Sequence, residues 1–259
     1  MTQQKQKQWL DQWQIFQDDE LFLFKEWIHP NLIEDFTDKR VLECGCGGGQ
    51  HTSFVARVAS SVLAVDLNSL EVARARNANA RNVDYLEADI SEMSLKETFD
   101  IVFSIGVVHH TDDPEKTVEN IIAHLKPGGR LILWVYSKEG NWITENVAER
   151  ARRVFLKKLS VPSKLRLSQI LTALMYVPIY TIYMLPLRSL PYYEYFTNFR
   201  KLSFRRNTLN VFDKLNAPQV VFIERQRVLR WFQFAQFTNL HLAPYKGVSW
   251  QASGTLIDV

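Results

Sequence analysis

The sequence predicts an α/β fold in which a largely parallel β-sheet is covered by helices. Between residues 39 and 136, short β-branched runs alternate with helical stretches, which is the pattern of parallel strands joined by helical crossovers. The chain has 259 residues, of which 46% are hydrophobic and 23% charged, as in an ordinary globular protein. Its net charge of +3 is too small to indicate a nucleic-acid partner by itself.

The alternating region predicts five strands and three helices. The strands are expected at 40–44, 62–66, 83–87, 100–105 and 130–136, and the helices at 50–59, 70–79 and 114–125. The third helix has clear boundaries, because Asp112 or Asp113 can cap its start and Pro114 suits its first turn. The run KPGG at 126–129 then ends it. Farther along, a helix at 224–236 and a hairpin of 240–245 with 248–257 resume the pattern.

Two features set expectations about the compartment. Cys44 and Cys46 have no second cysteine pair nearby, which argues against a zinc site and a structural disulfide and fits a reducing environment. The N-terminus lacks the apolar stretch of a secretory signal, and the most apolar segment, 171–186, is shorter than the roughly 20 residues that cross a bilayer. We therefore expect a soluble, cytoplasmic protein.

The most informative stretch is VLECGCGGGQ at 41–50, where a strand runs into a glycine loop that opens a helix. Such a loop lets the backbone approach a ligand closely, and the helix start offers unpaired N–H groups, so a nucleotide-type cofactor is predicted. A dinucleotide fingerprint would need glycine at position 50, where this chain has Gln50. Glu43 would repel a pyrophosphate but attract an ammonium or sulfonium group, which favours S-adenosylmethionine over NAD.

Two further acidic residues stand at strand ends. Asp66 ends the second strand, about twenty residues beyond the first glycine, where a carboxylate accepts both ribose hydroxyls. Asp89 ends the third strand and can accept a hydrogen bond from the adenine amino group. Each acidic residue alone could be a loop cap. Glu43, Asp66 and Asp89 stand at three neighbouring strand ends, however, and together they indicate the same ligand.

These residues resemble the class I S-adenosylmethionine-dependent methyltransferases, in particular the group called type 11. The motifs that carry the resemblance are ECGCGGG, the strand ending in Asp66, EADI, FDIVFSIGVVHHTDDP and LKPGGRLILWVY. The resemblance implies a Rossmann-like, seven-stranded, mostly parallel sheet with an antiparallel last strand, and the different composition of residues 138–217 predicts a helical insertion after the fifth strand. It places S-adenosylmethionine across the carboxyl ends of the first four strands. Many relatives have Asp where this chain has Glu43, which gives the carboxylate a longer reach here.

The resemblance also implies the residues that bind the cofactor. Those at the methionine end are Glu43, Cys44, Gly45, Cys46, Gly47 and Gly49, with Ser104 and Gly106 beside the ammonium group. Those at the ribose and adenine are Asp66, Leu67, Asp89 and Ile90.

Two histidines are the candidate catalytic residues. Methyl transfer is an in-line displacement that needs a base only where the acceptor is protonated. His109 and His110 follow the fourth strand, where the acceptor should enter, and a neutral imidazole suits proton removal. Alternatively, one ring caps the loop and the other packs near the cofactor. No metal site is expected from these histidines with Asp112 and Asp113, because adjacent histidines usually diverge.

Residues 138–217 differ from the rest of the chain in composition. They hold fourteen lysines and arginines against five acidic residues, a net charge of +9, and six of the nine tyrosines. We expect this insertion to select a small or lipid-like acceptor that is methylated at oxygen or nitrogen. The Asn/Asp-Pro-Pro-aromatic signature of many base-amine methyltransferases is missing after the fourth strand, which makes a nucleic-acid acceptor less expected.

Three alternatives remain at this point. The basic insertion could serve an RNA or protein methyltransferase, which steeply salt-dependent tRNA binding would support. The insertion also contains a basic segment beside an apolar, tyrosine-rich segment. This combination suits peripheral contact with anionic lipid. A non-catalytic binding scaffold on the same fold is the third alternative.

The chain therefore divides into four predicted parts. Residues 1–38 form an N-terminal helical segment that packs on the core, and residues 39–137 form the cofactor-binding core. Residues 138–217 form the basic, tyrosine-rich substrate cap, and residues 218–259 complete the core sheet with a helix and a hairpin. Within the first part, Trp9, Trp13 and Trp27 recur at roughly helical spacing and are expected to pack against the sheet rather than to cover a cofactor.

Overall fold

A single seven-stranded sheet forms the centre of the protein. In the computed structural model, which describes residues 3–16, 20–154, 156 and 159–257, the strands are β1 (Arg40–Cys44), β2 (Ser61–Asp66), β3 (Val83–Glu87), β4 (Phe99–Ile105), β5 (Leu125–Tyr136), β6 (Phe237–Tyr245) and β7 (Ser249–Leu256). Their order in the sheet is β3-β2-β1-β4-β5-β7-β6. Strands β1 to β5 are parallel, and β7 runs antiparallel to both of its neighbours. The predicted seven-stranded, mostly parallel sheet with an antiparallel last strand is confirmed.

Helices cover both faces of the sheet and form the insertion. The helices of the described residues are α1 (Gln3–Ile15), α2 (Leu21–Ile28), α3 (Gln50–Val55), α4 (Leu70–Arg76), α5 (Pro114–Ile122), α6 (Glu149–Val154), α7 (Val161–Ile179), α8 (Tyr193–Phe199), α9 (Phe204–Asn216) and α10 (Arg225–Phe234). The helical insertion predicted after the fifth strand is therefore present as α6 to α9. None of the described helices is long and apolar enough to cross a membrane.

The central strands β1 and β4 are mostly apolar and largely buried because both of their faces are covered. On one face, Leu42 and Val102 pack in a cluster with residues of α5 and α10. On the other face, Val41 and Phe103 pack with Phe24 of α2 and with α3. Phe24 is fully buried, and burial of such a side chain contributes about 2–3 kcal/mol to stability. The carboxyl ends of β1 to β4 consequently meet at one edge of a rigid sheet.

The first three core helices are shorter than the sequence predicts. They end at Val55, Arg76 and Ile122 rather than at residues 59, 79 and 125. Helix α5 does begin as expected, with the Asp113 carboxylate accepting a hydrogen bond from the backbone N–H of Lys116. Strand β5 begins at Leu125, before the KPGG turn, because Leu125 already pairs with Phe99. Pairing with β4 thus ends the helix before the proline is reached.

Candidate functional site

A cavity lies at the carboxyl ends of β1 to β4, and we call it the donor cavity. The glycine loop, the ends of β2 and β3 and the segment after β4 border it. The predicted site residues that line it are Gly45, Gly47, Asp66, Leu67, Asp89, Ile90, Gly106 and His110. Six other predicted site residues are absent from its lining: Glu43, Cys44, Cys46, Gly49, Ser104 and His109.

The glycine loop needs residues without side chains where it borders the donor cavity. Gly45 has φ +85°, and a Cβ there would lie 2.5 Å from the side chain of Val107. Gly47 has φ +52°, and a Cβ there would lie 2.6 Å from the ring of Trp13. Val107 and Trp13 also line the cavity. A larger residue at position 45 or 47 would therefore push these side chains into the space of the ligand.

Four of the residues outside the lining lie behind the donor cavity. The Ser104 hydroxyl donates a hydrogen bond to the carbonyl oxygen of Cys44 at 2.8 Å, which joins the ends of β4 and β1. A Cβ on Gly49 would lie 2.8 Å from the Cα of Ala73, so this glycine allows α3 to approach α4. Cys46 is buried, and burial raises the pKa of its thiol well above the ordinary value.

Two aspartates line the donor cavity from adjacent strand ends. Asp66 accepts a hydrogen bond from the backbone N–H of Gly47 at 2.9 Å and another from the Ser69 hydroxyl at 2.7 Å. Asp89 accepts hydrogen bonds at Oδ1 from the N–H and the hydroxyl of Ser91. A carboxylate has about four acceptor positions. Each carboxylate is therefore oriented by the protein and retains capacity for a ligand hydroxyl or amine.

Glu43 does not face the donor cavity. Its side chain is 1% exposed and accepts a hydrogen bond from the Thr52 hydroxyl at 2.5 Å, and His51 Nδ1 lies 3.8 Å away. Burial raises the Glu43 pKa to about 8, so the carboxyl is largely protonated at neutral pH. Glu43 shares the strand face of Val41 and points toward α3, so its expected attraction for the cofactor's cation stays a prediction that the lining of the donor cavity does not support.

The donor cavity is nevertheless acidic. Asp66, Asp89 and Asp112 line it, and no lysine or arginine does so among the residues that the structure describes. A pyrophosphate would therefore meet three carboxylates and no cation. The lining therefore still favours a positively charged cofactor. The negative charge comes from Asp66 and Asp89 at the strand ends and from Asp112 after β4, and not from Glu43.

The two candidate catalytic histidines have different surroundings. His110 lines the donor cavity, and its Nδ1 lies 2.7 Å from the carbonyl oxygen of Gln219. Since a carbonyl only accepts, Nδ1 donates, and Nε2 of the neutral ring carries the lone pair. His109 is fully buried behind it, with a ring centroid 4.2 Å from that of His110 and 4.2 Å from that of Tyr136. Burial lowers the pKa of both imidazoles, so both are neutral at pH 7.

Within the described part of the chain, no three His, Cys, Asp or Glu side chains come together as a possible metal site.

Two tryptophans of α1 complete the donor cavity, which sequence reasoning missed. Trp9 and Trp13 line it, and the Trp9 ring centroid lies 4.7 Å from that of His110. Trp27 of α2 packs beside the sheet as expected, 5.2 Å from Trp134. Helical spacing places Trp9 and Trp13 on one face of α1, but it does not tell which surface that face covers. The expectation that these two pack against the sheet was wrong.

A glycine loop between β1 and α3, with aspartates at the ends of β2 and β3, defines a class of α/β proteins with a nucleotide-cofactor cavity. Within that class, residues 42–133 match the family described as "Methyltransferase domain" (Methyltransf_11). The predicted resemblance to the type 11 group of class I S-adenosylmethionine-dependent methyltransferases is therefore confirmed.

Several known proteins are similar to the chain. The mitochondrial ubiquinone biosynthesis O-methyltransferase of Schizosaccharomyces pombe is 31% identical over 128 residues, which cover 46% of this chain and 46% of that protein. The ubiquinone biosynthesis O-methyltransferase of Xanthomonas oryzae pv. oryzae is 34% identical over 104 residues, covering 38% of this chain and 44% of that protein. This chain thus spans less than half the length of these relatives.

Solved structures share the fold over almost the whole chain. The N-methyltransferase NodS from Bradyrhizobium japonicum WM9, in complex with S-adenosyl-L-homocysteine, has a TM-score of 0.51 and 12% identity. The matched region covers 97% of this chain and 100% of the NodS chain. The S-adenosylmethionine-dependent methyltransferase SibL, in its apo form, has a TM-score of 0.55 and 18% identity and covers 93% of this chain and 56% of that chain.

The raised pKa of Glu43 predicts how stability depends on pH. An unfolded carboxyl titrates near 4.5 and the folded one near 8, so the folded state binds the additional proton between these values. Glu43 therefore contributes stability that is fully present below pH 4.5 and is lost as the pH rises through 8. Glu43→Gln imitates the protonated form, and chemical unfolding of both proteins should show the variant gaining about 1.4 kcal/mol per pH unit over the wild type in this window. A difference that stays constant with pH would contradict a buried, neutral Glu43.

Proposed function

We propose that this protein is a methyltransferase that uses S-adenosylmethionine and transfers its methyl group to oxygen or nitrogen of a small or lipid-like acceptor. The observation that carries the proposal is the donor cavity, where a glycine loop faces three aspartates without a lysine or arginine among the described lining residues. Such a lining favours a ligand that combines a nucleoside with positive charge. The methyltransferase family match over residues 42–133 supports the same conclusion.

The residues of the donor cavity fit this cofactor. Asp66 presents its anchored carboxylate to the ribose hydroxyls, and Asp89 presents Oδ2 to the adenine amino group. Trp9 and Trp13 cover the loop and exclude water from the ligand. When bound, the cofactor supplies a sulfonium methyl: the acceptor atom bonds to the methyl carbon, the carbon–sulfur bond breaks with its electron pair left on sulfur, and an acceptor proton departs.

His110 is the residue that accepts this proton. Its Nδ1 is held by the Gln219 carbonyl, so Nε2 is the basic atom available at the cavity. Burial lowers its pKa, which keeps the ring neutral and ready to accept a proton at neutral pH. His109 does not line the cavity and accepts a hydrogen bond at Nδ1 from the backbone N–H of Tyr136 at 3.4 Å. His109 is therefore part of the wall behind the donor cavity and does not accept the proton.

The basic insertion is less suited to gripping RNA or an acidic protein surface. Several of its cations hold the insertion together: Arg152 donates to the carbonyl oxygen of Ala217, and Arg200 donates to that of Tyr183. The Lys164 ammonium donates to Asn216 and is buried. Phosphate binding uses exposed cations. These three cations are engaged within the insertion, whereas Arg166, Arg188 and Lys201 are exposed. Steeply salt-dependent tRNA binding would therefore still support the RNA alternative.

Replacing Asp66 tests the cofactor assignment. Asp66→Asn removes the charge that receives the ribose hydroxyls, so we expect S-adenosylhomocysteine to bind about 10- to 100-fold more weakly in isothermal titration. Asp84→Asn, at an exposed position of β3, is the matched control and should bind as the wild type does. Binding of NAD by the wild type without binding of S-adenosylmethionine or S-adenosylhomocysteine would overturn the proposal.

Replacing the two histidines separately tests the base. With any acceptor that is methylated, His110→Gln should lower kcat about 100-fold or more and remove the acidic limb of the pH profile, with little change in S-adenosylhomocysteine affinity. His109→Gln is the matched control and should retain that limb. Equal turnover of both variants and the wild type would mean that neither ring accepts the proton.

A second proposal concerns contact with a lipid surface. The insertion exposes apolar side chains that would normally be buried: Ile170, Leu174, Val177, Ile182, Met184, Leu185 and Leu187. The first three recur at helical spacing on α7, so they form one face. Exposed Arg166, Arg188 and Lys201 belong to the same insertion. An apolar face accompanied by cations is typical of attachment to an anionic membrane surface.

Vesicle sedimentation tests this attachment. The wild type should bind vesicles that contain phosphatidylglycerol at least about tenfold better than vesicles of phosphatidylcholine alone. The double variant Leu174→Ser, Met184→Ser should lose this binding, whereas Phe234→Ser, which changes an exposed side chain on α10, should not. Equal binding by the double variant and the wild type would contradict the proposal.

A further inference from the structure

Four rings stand in a row that begins at the donor cavity, and we call them the ring row. In order, they are Trp9, His110, His109 and Tyr136. The centroids of successive rings lie 4.7, 4.2 and 4.2 Å apart. Trp9 belongs to α1, and Tyr136 ends β5. Because rings at these separations pack against one another, the direction of the His110 ring depends on the residues at both ends of the row.

A single carboxylate holds both ends of the ring row. Asp213 of α9 accepts a hydrogen bond at Oδ2 from the Tyr136 hydroxyl at 2.9 Å. At Oδ1 it accepts one from the side-chain amide of Gln12 at 3.1 Å. Gln12 follows Trp9 by three residues on α1, so the two side chains lie on the same face of that helix. Asp213 therefore fixes Tyr136 directly and fixes Trp9 through the helix that carries it.

The chain at the end of α9 supports the same arrangement. The Asn216 side-chain amide donates a hydrogen bond to the carbonyl oxygen of Gln8 on α1 at 2.9 Å. The Gln219 side-chain amide donates to the carbonyl oxygen of His110 at 2.9 Å, and the Gln219 carbonyl accepts from His110 Nδ1. Residues 213–219 thus contact both α1 and the histidine turn, so a displacement of this segment would move Trp9 and His110 together.

The charge of Asp213 also acts on His110. Both of the donors to Asp213 are neutral groups, so these hydrogen bonds do not remove its negative charge. Burial lowers the pKa of His110, and the charge of Asp213 opposes this shift. On α6, Arg152 and Glu149 act on the same ring with opposite signs and pair with each other. The other titratable groups beside the ring or in the same lining are His109, Tyr136 and Asp112. Loss of the Asp213 charge would therefore disfavour a protonated His110.

We propose that Asp213 is a positioning residue for the methyl transfer, because its carboxylate holds both ends of the ring row and thereby keeps His110 Nε2 directed toward the donor cavity. The inference rests on the proposed function, in which His110 accepts the acceptor proton. That proton moves from the acceptor to Nε2, and Asp213 itself neither gains nor loses a proton. Its negative charge stabilises the imidazolium that forms.

The charge of Asp213 is tested on the His110 ring in the complex with S-adenosylhomocysteine. Nuclear magnetic resonance of the imidazole nitrogens reports the pKa and the tautomer of this ring. Asp213→Asn keeps the volume and removes the charge, so we expect the pKa of His110 to fall by about 0.5 to 1 pH unit and the Nδ1–H tautomer to be partly lost. Asp213→Glu keeps the charge and should retain a pKa near the wild-type value. Glu194→Gln, at an exposed position of the same insertion, is the matched control and should change neither quantity.

Two single variants release the ends of the ring row without changing its charge. Tyr136→Phe removes the hydroxyl at one end, and Gln12→Ala removes the amide that anchors α1 at the other. Each should turn the single tautomer of His110 into a mixture, and both keep the proposal testable should Asp213→Asn not fold. A wild-type pKa and tautomer of His110 in Asp213→Asn, or a wild-type tautomer in both single variants, would overturn the proposal.

The tie to α1 has a separate kinetic consequence. Trp9 and Trp13 line the donor cavity from the helix that Asp213 anchors. In stopped-flow tryptophan fluorescence, Asp213→Asn and Gln12→Ala should therefore release S-adenosylhomocysteine at least about fivefold faster than the wild type. Tyr136→Phe leaves this tie intact and should release it at the wild-type rate. Wild-type release by both Asp213→Asn and Gln12→Ala would refute the tie and the proposal with it.

The two proposals fail in different ways. If S-adenosylhomocysteine binds but the Asp213 variants behave as the wild type does, the positioning role is wrong and the proposed function stands. If S-adenosylhomocysteine does not bind to the wild type, the proposed function is wrong, and spectra of His110 recorded without it still test whether Asp213 orients the ring.

Discussion

The hydrogen bond from the Gly47 N–H to the Asp66 carboxylate is the interaction on which the donor cavity depends. It ties the glycine loop after β1 to the end of β2 at 2.9 Å. The loop can lie there because Gly45 and Gly47 adopt positive φ angles and present no Cβ to their neighbours. One carboxylate therefore fixes the glycine loop and also lines the donor cavity. Loss of its charge would weaken the anchor of the loop and change the charge of the lining together.

The strands and the strand-end acids were predictable because parallel topology constrains them strongly. Once β1 to β4 are recognised, their carboxyl ends must meet at one edge, so Asp66 and Asp89 have to lie near the glycine loop. The side-chain direction of Glu43 followed a different rule. Side chains alternate along β1, so Glu43 lies on the same face as Val41 and points toward α3. This alternation is visible in the sequence, but the prediction gave more weight to the charge of Glu43. The end of α5 was overestimated because strand pairing at Leu125 starts before the local turn signals.

The remaining features depend on tertiary packing that periodicity does not report. Trp9 and Trp13 lie on a helix separated from the glycine loop by some thirty residues, and only the docking of α1 decides which surface their rings cover. The neighbouring histidines differ for a similar reason. They share a short 3₁₀ turn, Val108–His110, and their rings lie 4.2 Å apart, yet one ring lines the cavity while the other is buried behind it. Residue type alone predicts an imidazole at the site, but the carbonyl of Gln219 decides which nitrogen carries the proton.

The charge of the donor cavity has a consequence for the wall behind it. Three aspartates line the donor cavity, and no lysine or arginine does so among the described residues. A positively charged ligand is stabilised by such a lining, whereas a protonated imidazole in the wall would oppose it. Burial lowers the pKa of His109 and keeps its ring neutral, so the wall does not weaken this preference. The carboxylates stand at the ends of sheet strands, while the insertion after β5 forms separate helices, so the insertion can vary without moving Asp66 or Asp89.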